Sequence, residues 1–232
     1  MKQIICVHVG SKYSDEYVYK LWNACKRNIS GDFLFTVLHD TKTYDILDQN
    51  FRTIQVSSMP CGSNNMWWYK MQAFKPEVVI DGQNLLLDLD IVIVDNLDKL
   101  FSFSESKFVI IQDFNRHWNQ NYSRSNSSAV KFTKELAIEI WNKWYQSATE
   151  FIRKYRGDQD WFDDELENKV WWPTEWIQSW KWEVYQGGLS KINTKQYRAL
   201  STHIPNNCKI LVFHGNPNPH EVTDPIVKRF WQ

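Results

Sequence analysis

Within Leu85-Leu86-Leu87-Asp88-Leu89-Asp90-Ile91-Val92-Ile93-Val94, eight of ten residues are apolar and the two exceptions are carboxylates spaced i, i+2. Such a run reads as a strand covered on both faces. Two carboxylates buried there without partners would be costly. Strand period places Asp88 and Asp90 on one face, roughly 7 Å apart, with Leu89 turned away. From that face both reach one hard cation, together with oxygens of a bound diphosphate. The plainer reading is that they cap a neighbouring helix or pair with Lys or Arg.

A second segment repeats the layout. Ile210-Leu211-Val212-Phe213 is apolar and delivers His214 to its end, followed by Gly215-Asn216-Pro217-Asn218-Pro219. Gly215 permits close approach of backbone to a ligand, or a positive φ. His214 reads either as a neutral imidazole ligand to the same cation or as a surface turn histidine.

The elements that must position these residues follow from pattern. Gln3–Val9 reads as a buried strand ending in a Gly10-Ser11 turn. Ser14 is suited to cap a helix, with Asp15 and Glu16 at its positive end. Val18, Leu21, Trp22 and Cys25 then mark one inward face. Phe33–Leu38, Thr53–Val56, the whole of Leu85–Val94 and Lys107–Gln112 are predicted strands, and Asn65–Phe74 a helix closed by Pro76. Strand and helix in alternation predict an α/β domain with a mainly parallel sheet. Further on, Ala129–Thr133 reads as a strand. Lys134 to about Tyr155 reads as one helix, because Ala137, Trp141, Trp144, Ala148, Phe151 and Tyr155 are spaced 4-3-4-3-4. Asp158–Leu166 is a shorter helix. Trp180, Trp182 and Val184 alternate as in a half-buried strand, and Lys209–Phe213 is the last strand.

Composition excludes several classes. The 232 residues carry 27 Lys+Arg and 27 Asp+Glu, a formal net charge of zero. That balance argues against nucleic-acid binding and polybasic membrane attachment. No apolar run nears the roughly 20 residues of a membrane span, and the N-terminus lacks the pattern of a signal peptide. Cys6, Cys25, Cys61 and Cys208 have no metal-type spacing, so a reducing cytoplasm is the expected location. Aromatic content is high: of 13 Trp, ten stand at or after position 118.

Taken in order, several short motifs resemble GT-A-fold glycosyltransferases, in particular the glycogenin and lipopolysaccharide galactosyltransferase group with its small bacterial and viral relatives. They are Val7-His8-Val9-Gly10-Ser11-Lys12-Tyr13; Trp68-Tyr69-Lys70-Met71; Asp88-Leu89-Asp90 with Asp95-Asn96-Leu97-Asp98-Lys99-Leu100-Phe101; Asn126-Ser127-Ser128; Gly157-Asp158-Gln159-Asp160; and Phe213-His214-Gly215-Asn216-Pro217. The resemblance implies a single GT-A domain over 1–232. It has a Rossmann-like nucleotide-binding half (about 1–104) and an elaborated donor-sugar and acceptor half (about 105–232). It implies metal-dependent transfer from a UDP-sugar to a carbohydrate or other hydroxyl acceptor, with retention.

By the same resemblance Val9 and Tyr13 lie at the base, and Lys70 faces the phosphates or the paired Asp. Asp88, Asp90 and His214 hold Mn2+ (or Mg2+), and Gly215 belongs to the diphosphate loop. Asn126, Asp158 and Gln159 meet the donor sugar near its anomeric carbon. The sequence departs from the family where His214 immediately precedes Gly215 instead of standing three residues before it. It departs again at Asn218, where the family has Lys, and at Ser128, where the family has Gly; His220 is a spare ligand candidate. The Trp residues between Trp161 and Trp182 offer ring faces to an acceptor, with Trp172 and Trp176 the better placed. Two other classes remain open: a metal-dependent nucleotidyltransferase or phosphohydrolase, and a non-catalytic carbohydrate-binding protein.

Overall fold

The computed structural model describes residues 1–61, 65–185 and 204–232. Apolar residues on both faces of β1 (Lys2–His8) divide its neighbourhood in two: Ile4 and Cys6 enter the core under α1 (Asp15–Asn28), Ile5 the core on the other face. β2 (Phe33–His39) and β3 (Phe51–Gln55) continue the sheet on one side of β1, and β4 (Gln83–Leu87) pairs on its other side, all parallel. β7 (Ser125–Thr133) runs antiparallel to β4 and to β6 (Phe108–Gln112), and β8 (Lys169–Trp171) completes the sheet parallel to β6. The order is β3-β2-β1-β4-β7-β6-β8. Only β7 opposes the rest. The direction of winding reverses between β1 and β4, so a crevice opens beyond their carboxyl ends.

The long apolar run is not one strand. β4 ends at Leu87, the chain bends through Asp88-Leu89-Asp90, and β5 (Ile91–Ile93) begins a separate sheet of order β5-β10-β9. The reason is burial. Leu85 and Leu87 face one core and Leu86 the other, so an extended continuation would drive Asp88 into the apolar core beside Leu86. The bend releases the carboxylates while Leu89 stays buried with Leu85 and Leu87.

Other boundaries shift for local reasons. The predicted helix from Lys134 divides at Ser147 into α3 (Lys134–Gln146) and α4 (Ala148–Lys154). The Trp180–Val184 alternation is a π-helical turn, closed by Tyr185 N–H donating to the Trp180 carbonyl at 2.7 Å, and the strand there is instead β9 (Ile177–Ser179). Met66–Phe74 is 3-10 helix, and the short α2 (Asp98–Ser102) and β8 have no clear sequence signal. α5 (Asp158–Glu165) stands as predicted, and β10 (Ile210–Val212) is a shorter form of the last strand. After β10, α6 (Pro225–Phe230) is capped by Asp224, whose carboxylate accepts from Ile226 N–H at 2.8 Å. No helix among the described residues is long and apolar enough to cross a membrane.

Candidate active site

A cavity of about 530 Å³ occupies the crevice at the β1–β4 reversal. Val7, Val9 and the Gly10–Tyr13 turn wall it from β1, Met66, Trp67 and Lys70 from the 3-10 segment, and Asp88-Leu89-Asp90 from the end of β4. Five residues singled out in the sequence therefore meet here: Val9, Tyr13, Lys70, Asp88 and Asp90. Gly10 takes φ +71°, a left-handed turn that glycine favours, and its N–H donates to Asp40 at 2.8 Å.

The carboxylates are held by different partners. Asp88 accepts the Lys70 ammonium at 2.7 Å. Asp90 accepts the Tyr13 hydroxyl at 2.7 Å, with the Lys12 ammonium 3.9 Å away. Burial, then the Asp88 charge, raises the Asp90 pKa to about 6. Burial opposes the Lys70 charge, but Asp88 and Asp158 outweigh it and raise the Lys70 pKa above its ordinary value. Tyr13 is pushed far up by burial and by Asp90, so its hydroxyl stays a donor. Two hard carboxylates facing one crevice, one of them short of compensating charge, are a donor set suited to a divalent cation whose other ligands come from substrate and water.

Asp158, only 3% exposed, lies 3.9 Å from Lys70 through Oδ2, an oxygen with no hydrogen-bond partner. Gln159 accepts from Ser127 N–H at 3.1 Å, and Ser127 Oγ accepts from Lys70 at 3.0 Å. Lys70 and Ser127 thus join Asp88 to the start of α5. Ser127 was visible only as the middle of Asn126-Ser127-Ser128. Asn126 itself is buried and accepts from Ser128 N–H at 3.0 Å, and it does not line the cavity. Gly157 lets the Trp67 indole come close, since a Cβ there would meet Trp67 Nε1 at 2.9 Å unless the indole moved. His8, which sequence reasoning passed over, donates from Nε2 to the Tyr13 carbonyl (2.9 Å) and pairs through Nδ1 with Tyr44 Oη (2.7 Å), fixing the turn that carries Tyr13.

His214 and Gly215 do not join this group. His214 stacks on Phe114 (centroids 4.9 Å apart), meets Trp182 edge-on at 4.4 Å, and binds Ser179 Oγ through Nε2 at 2.7 Å. Among the described residues no three His, Cys, Asp or Glu are arranged to hold a metal ion, so the expected Asp88–Asp90–His214 triad is not gathered. The spare candidate His220 instead binds the Tyr17 hydroxyl. Gly215 takes φ +71° on the exposed loop, near Lys181. Trp172 is a core residue whose Nε1 donates to the Ala129 carbonyl at 2.9 Å, and Trp176 packs edge-on to Phe103, so neither is a free platform.

Burial, then Lys181 and Arg116, lowers the His214 pKa to about 3. The ring stays neutral through the ordinary imidazole range, so a metal-binding step near pH 6.5 is not expected from it. The unfolded chain takes up this proton first, so stability should fall as pH drops below about 6.5 and continue falling towards 3. Urea unfolding at pH 7.5 and 4.5 should show a smaller acid loss in His214→Gln than in the parent chain. Equal losses would place the acid sensitivity elsewhere.

The sheet order and the crevice at its reversal are those of a GT-A fold. No protein-family model matches the chain and no curated protein matches it in sequence. Among solved structures it is similar to the galactosyltransferase LgtC in complex with donor and acceptor sugar analogues, with TM-score 0.67 and 13% identity over 98% of this chain and 93% of LgtC. It is also similar to the glycosyltransferase GlyE of Streptococcus pneumoniae TIGR4 (TM-score 0.65, 14% identity, 100% of this chain, 60% of GlyE). A third is the bifunctional glycosyltransferase WbbM (TM-score 0.60, 12% identity, 100% of this chain, 52% of WbbM).

Proposed function

We propose that the chain is a glycosyltransferase that moves a sugar from a nucleotide-sugar, a UDP-sugar, to a hydroxyl of a carbohydrate acceptor, with retention. The observation that carries this is the crevice at the β1–β4 reversal, into which Asp88 and Asp90 both turn.

In this reading Asp88 and Asp90 would hold Mn2+ (or Mg2+). The raised Asp90 pKa supports the fit, because a bound cation relieves the repulsion that burial leaves uncompensated. Such an ion supplies Lewis-acid charge to a departing diphosphate. The chain's own residues do the rest. Val9 and the Gly10–Tyr13 turn receive the base. Lys70, buried between two carboxylates, adds fixed positive charge next to the phosphates without reorganising. Asp158 and Gln159, tied to Asp88 through Lys70 and Ser127, orient the donor sugar near its anomeric carbon.

The test is thermal melting with UDP, manganese and UDP-sugars, singly and together. A stabilisation by UDP plus manganese exceeding the sum of the two alone is expected, because only ligands of the native state raise its apparent stability. Absence of any joint effect, with no donor-sugar hydrolysis, would overturn the reading.

A further inference from the structure

A group of aromatic side chains beside the crevice is left unused by the donor chemistry. Trp118 follows the 3-10 turn Phe114–His117 and is 50% exposed. Its ring stands 6.4 Å from that of half-buried Trp182, at 71°, so the two indoles form a corner. Trp182 in turn meets His214, whose other face is covered by Phe114.

The hydrogen bonds fix which nitrogen of His214 carries its proton. Ser179 is fully buried, and its Oγ accepts from Trp182 N–H at 3.1 Å. Among the described residues the hydroxyl proton then has one acceptor in reach, His214 Nε2 at 2.7 Å. A buried hydroxyl does not leave its proton unpaired. Nε2 is therefore an acceptor with its lone pair engaged, and the neutral ring bears its hydrogen on Nδ1. Nδ1 makes no hydrogen bond among the described residues. This ring is a poor metal ligand and a ready hydrogen-bond donor.

The group adjoins the crevice. Val212 of β10 pairs with Ile91 on one side and Ser179 on the other, and Phe213 N–H donates to the Asp90 carbonyl at 3.0 Å. His214 is the next residue. Lys181 ties the same corner to the loop by donating to the Asn216 carbonyl at 3.2 Å. A sugar ring offers a C–H face that stacks on indole and hydroxyls that accept from N–H groups, which is the chemistry assembled here.

We propose that Trp118, Trp182 and the Nδ1–H of His214 form a saccharide subsite that seats the acceptor ring beside the donor crevice. The acceptor role rests on the transferase reading above.

The test uses protein labelled with 15N in its Trp and His rings, titrated with maltose, cellobiose, lactose and chitobiose at millimolar concentrations. At least one disaccharide should move the Trp118 and Trp182 indole signals, and the free protein should show His214 protonated at Nδ1 and unprotonated at Nε2. Trp118→Ala, at an exposed position, should weaken that binding about tenfold, near 1.4 kcal/mol, with the joint UDP and manganese stabilisation unchanged. Unmoved indole signals, unaltered affinity in Trp118→Ala, or a proton on Nε2 would each overturn the subsite. A chain that answers UDP with manganese but no disaccharide overturns this inference alone. A chain that answers neither overturns the transferase reading as well.

Discussion

Asp90→Asn should lose manganese-dependent UDP binding by at least about a hundredfold, near 2.7 kcal/mol, and yet be more stable than the parent chain when no ligand is present. The two effects share one cause. Asp90 is buried near Asp88, and its pKa stands near 6, above the ordinary carboxylate value. The folded state therefore holds the proton more tightly than the unfolded chain. The ionised carboxylate costs stability that grows as pH rises through about 4 to 6 and is constant above. Asn removes that charge and still accepts the Tyr13 hydroxyl. At pH 7.5 the gain should be about 1–3 kcal/mol, and it should shrink to nothing near pH 4. Lys12, Tyr13, Tyr17, Lys70 and Asp88 are titratable groups that face the carboxylate, and none is replaced by the change. Calorimetry of UDP binding and urea unfolding at the two pH values check both halves. Full binding in the variant would remove Asp90 from the cation site, and an unchanged or lower stability at pH 7.5 would show that its charge is already compensated.

Lys70→Met should be the more damaging change to the fold. Lys70 is the cation facing Asp88 at 2.7 Å and Asp158 at 3.9 Å, and it also donates to Ser127. Its removal leaves two carboxylates without their partner, one of them almost wholly buried. Breaking such a pair by deleting one side costs about 3–5 kcal/mol. Burial already raises the Asp158 pKa, with Lys70 pulling it back down. Without Lys70 the Asp158 carboxyl should protonate at higher pH, so the loss should be largest above neutrality and smaller near pH 4. Adding Asp88→Asn to Lys70→Met should recover part of it. Urea midpoints of the single and double variants decide the matter. A loss under about 1 kcal/mol at pH 7.5 would mean that solvent screens these charges as on a surface.

Much of the sheet was legible because β1, β2, β4 and β6 are apolar runs separated by a helix or turn, and Asp88 and Asp90 stood out because carboxylates interrupt one of those runs. The bend between them was hidden because Leu89 is buried in the bent chain as it would be in a straight one. Ser147 was hidden in the same way: Ala148, Phe151 and Ile152 pack on the same core as Ala137, Ile140 and Trp144, so the periodicity runs through the break. The alternation at Trp180, Trp182 and Val184 was misleading because a π turn also buries Trp180 and Val184 while leaving Trp182 half-covered. His214 shows the limit most clearly. Its place at a strand end is local information, but Ser179, Phe114 and Trp182 reach it from other elements, and they decide that Nε2 is engaged. No spacing along the chain carries that.

The passage from β4 to β5 has a mechanical side. The seven-stranded and three-stranded sheets share no strand, and residues 88–90 are the shortest of the covalent links between them, the others running from β5 to β6 and from β8 to β9. Whatever clamps the two carboxylates also clamps this shortest link. Occupancy of the crevice is then transmitted as stiffness into β5, and through its ladder into β10 and β9. Amide hydrogens there would exchange more slowly in the liganded chain even though those strands lie beyond the cavity. Slower exchange in the small sheet would then report that the crevice is filled.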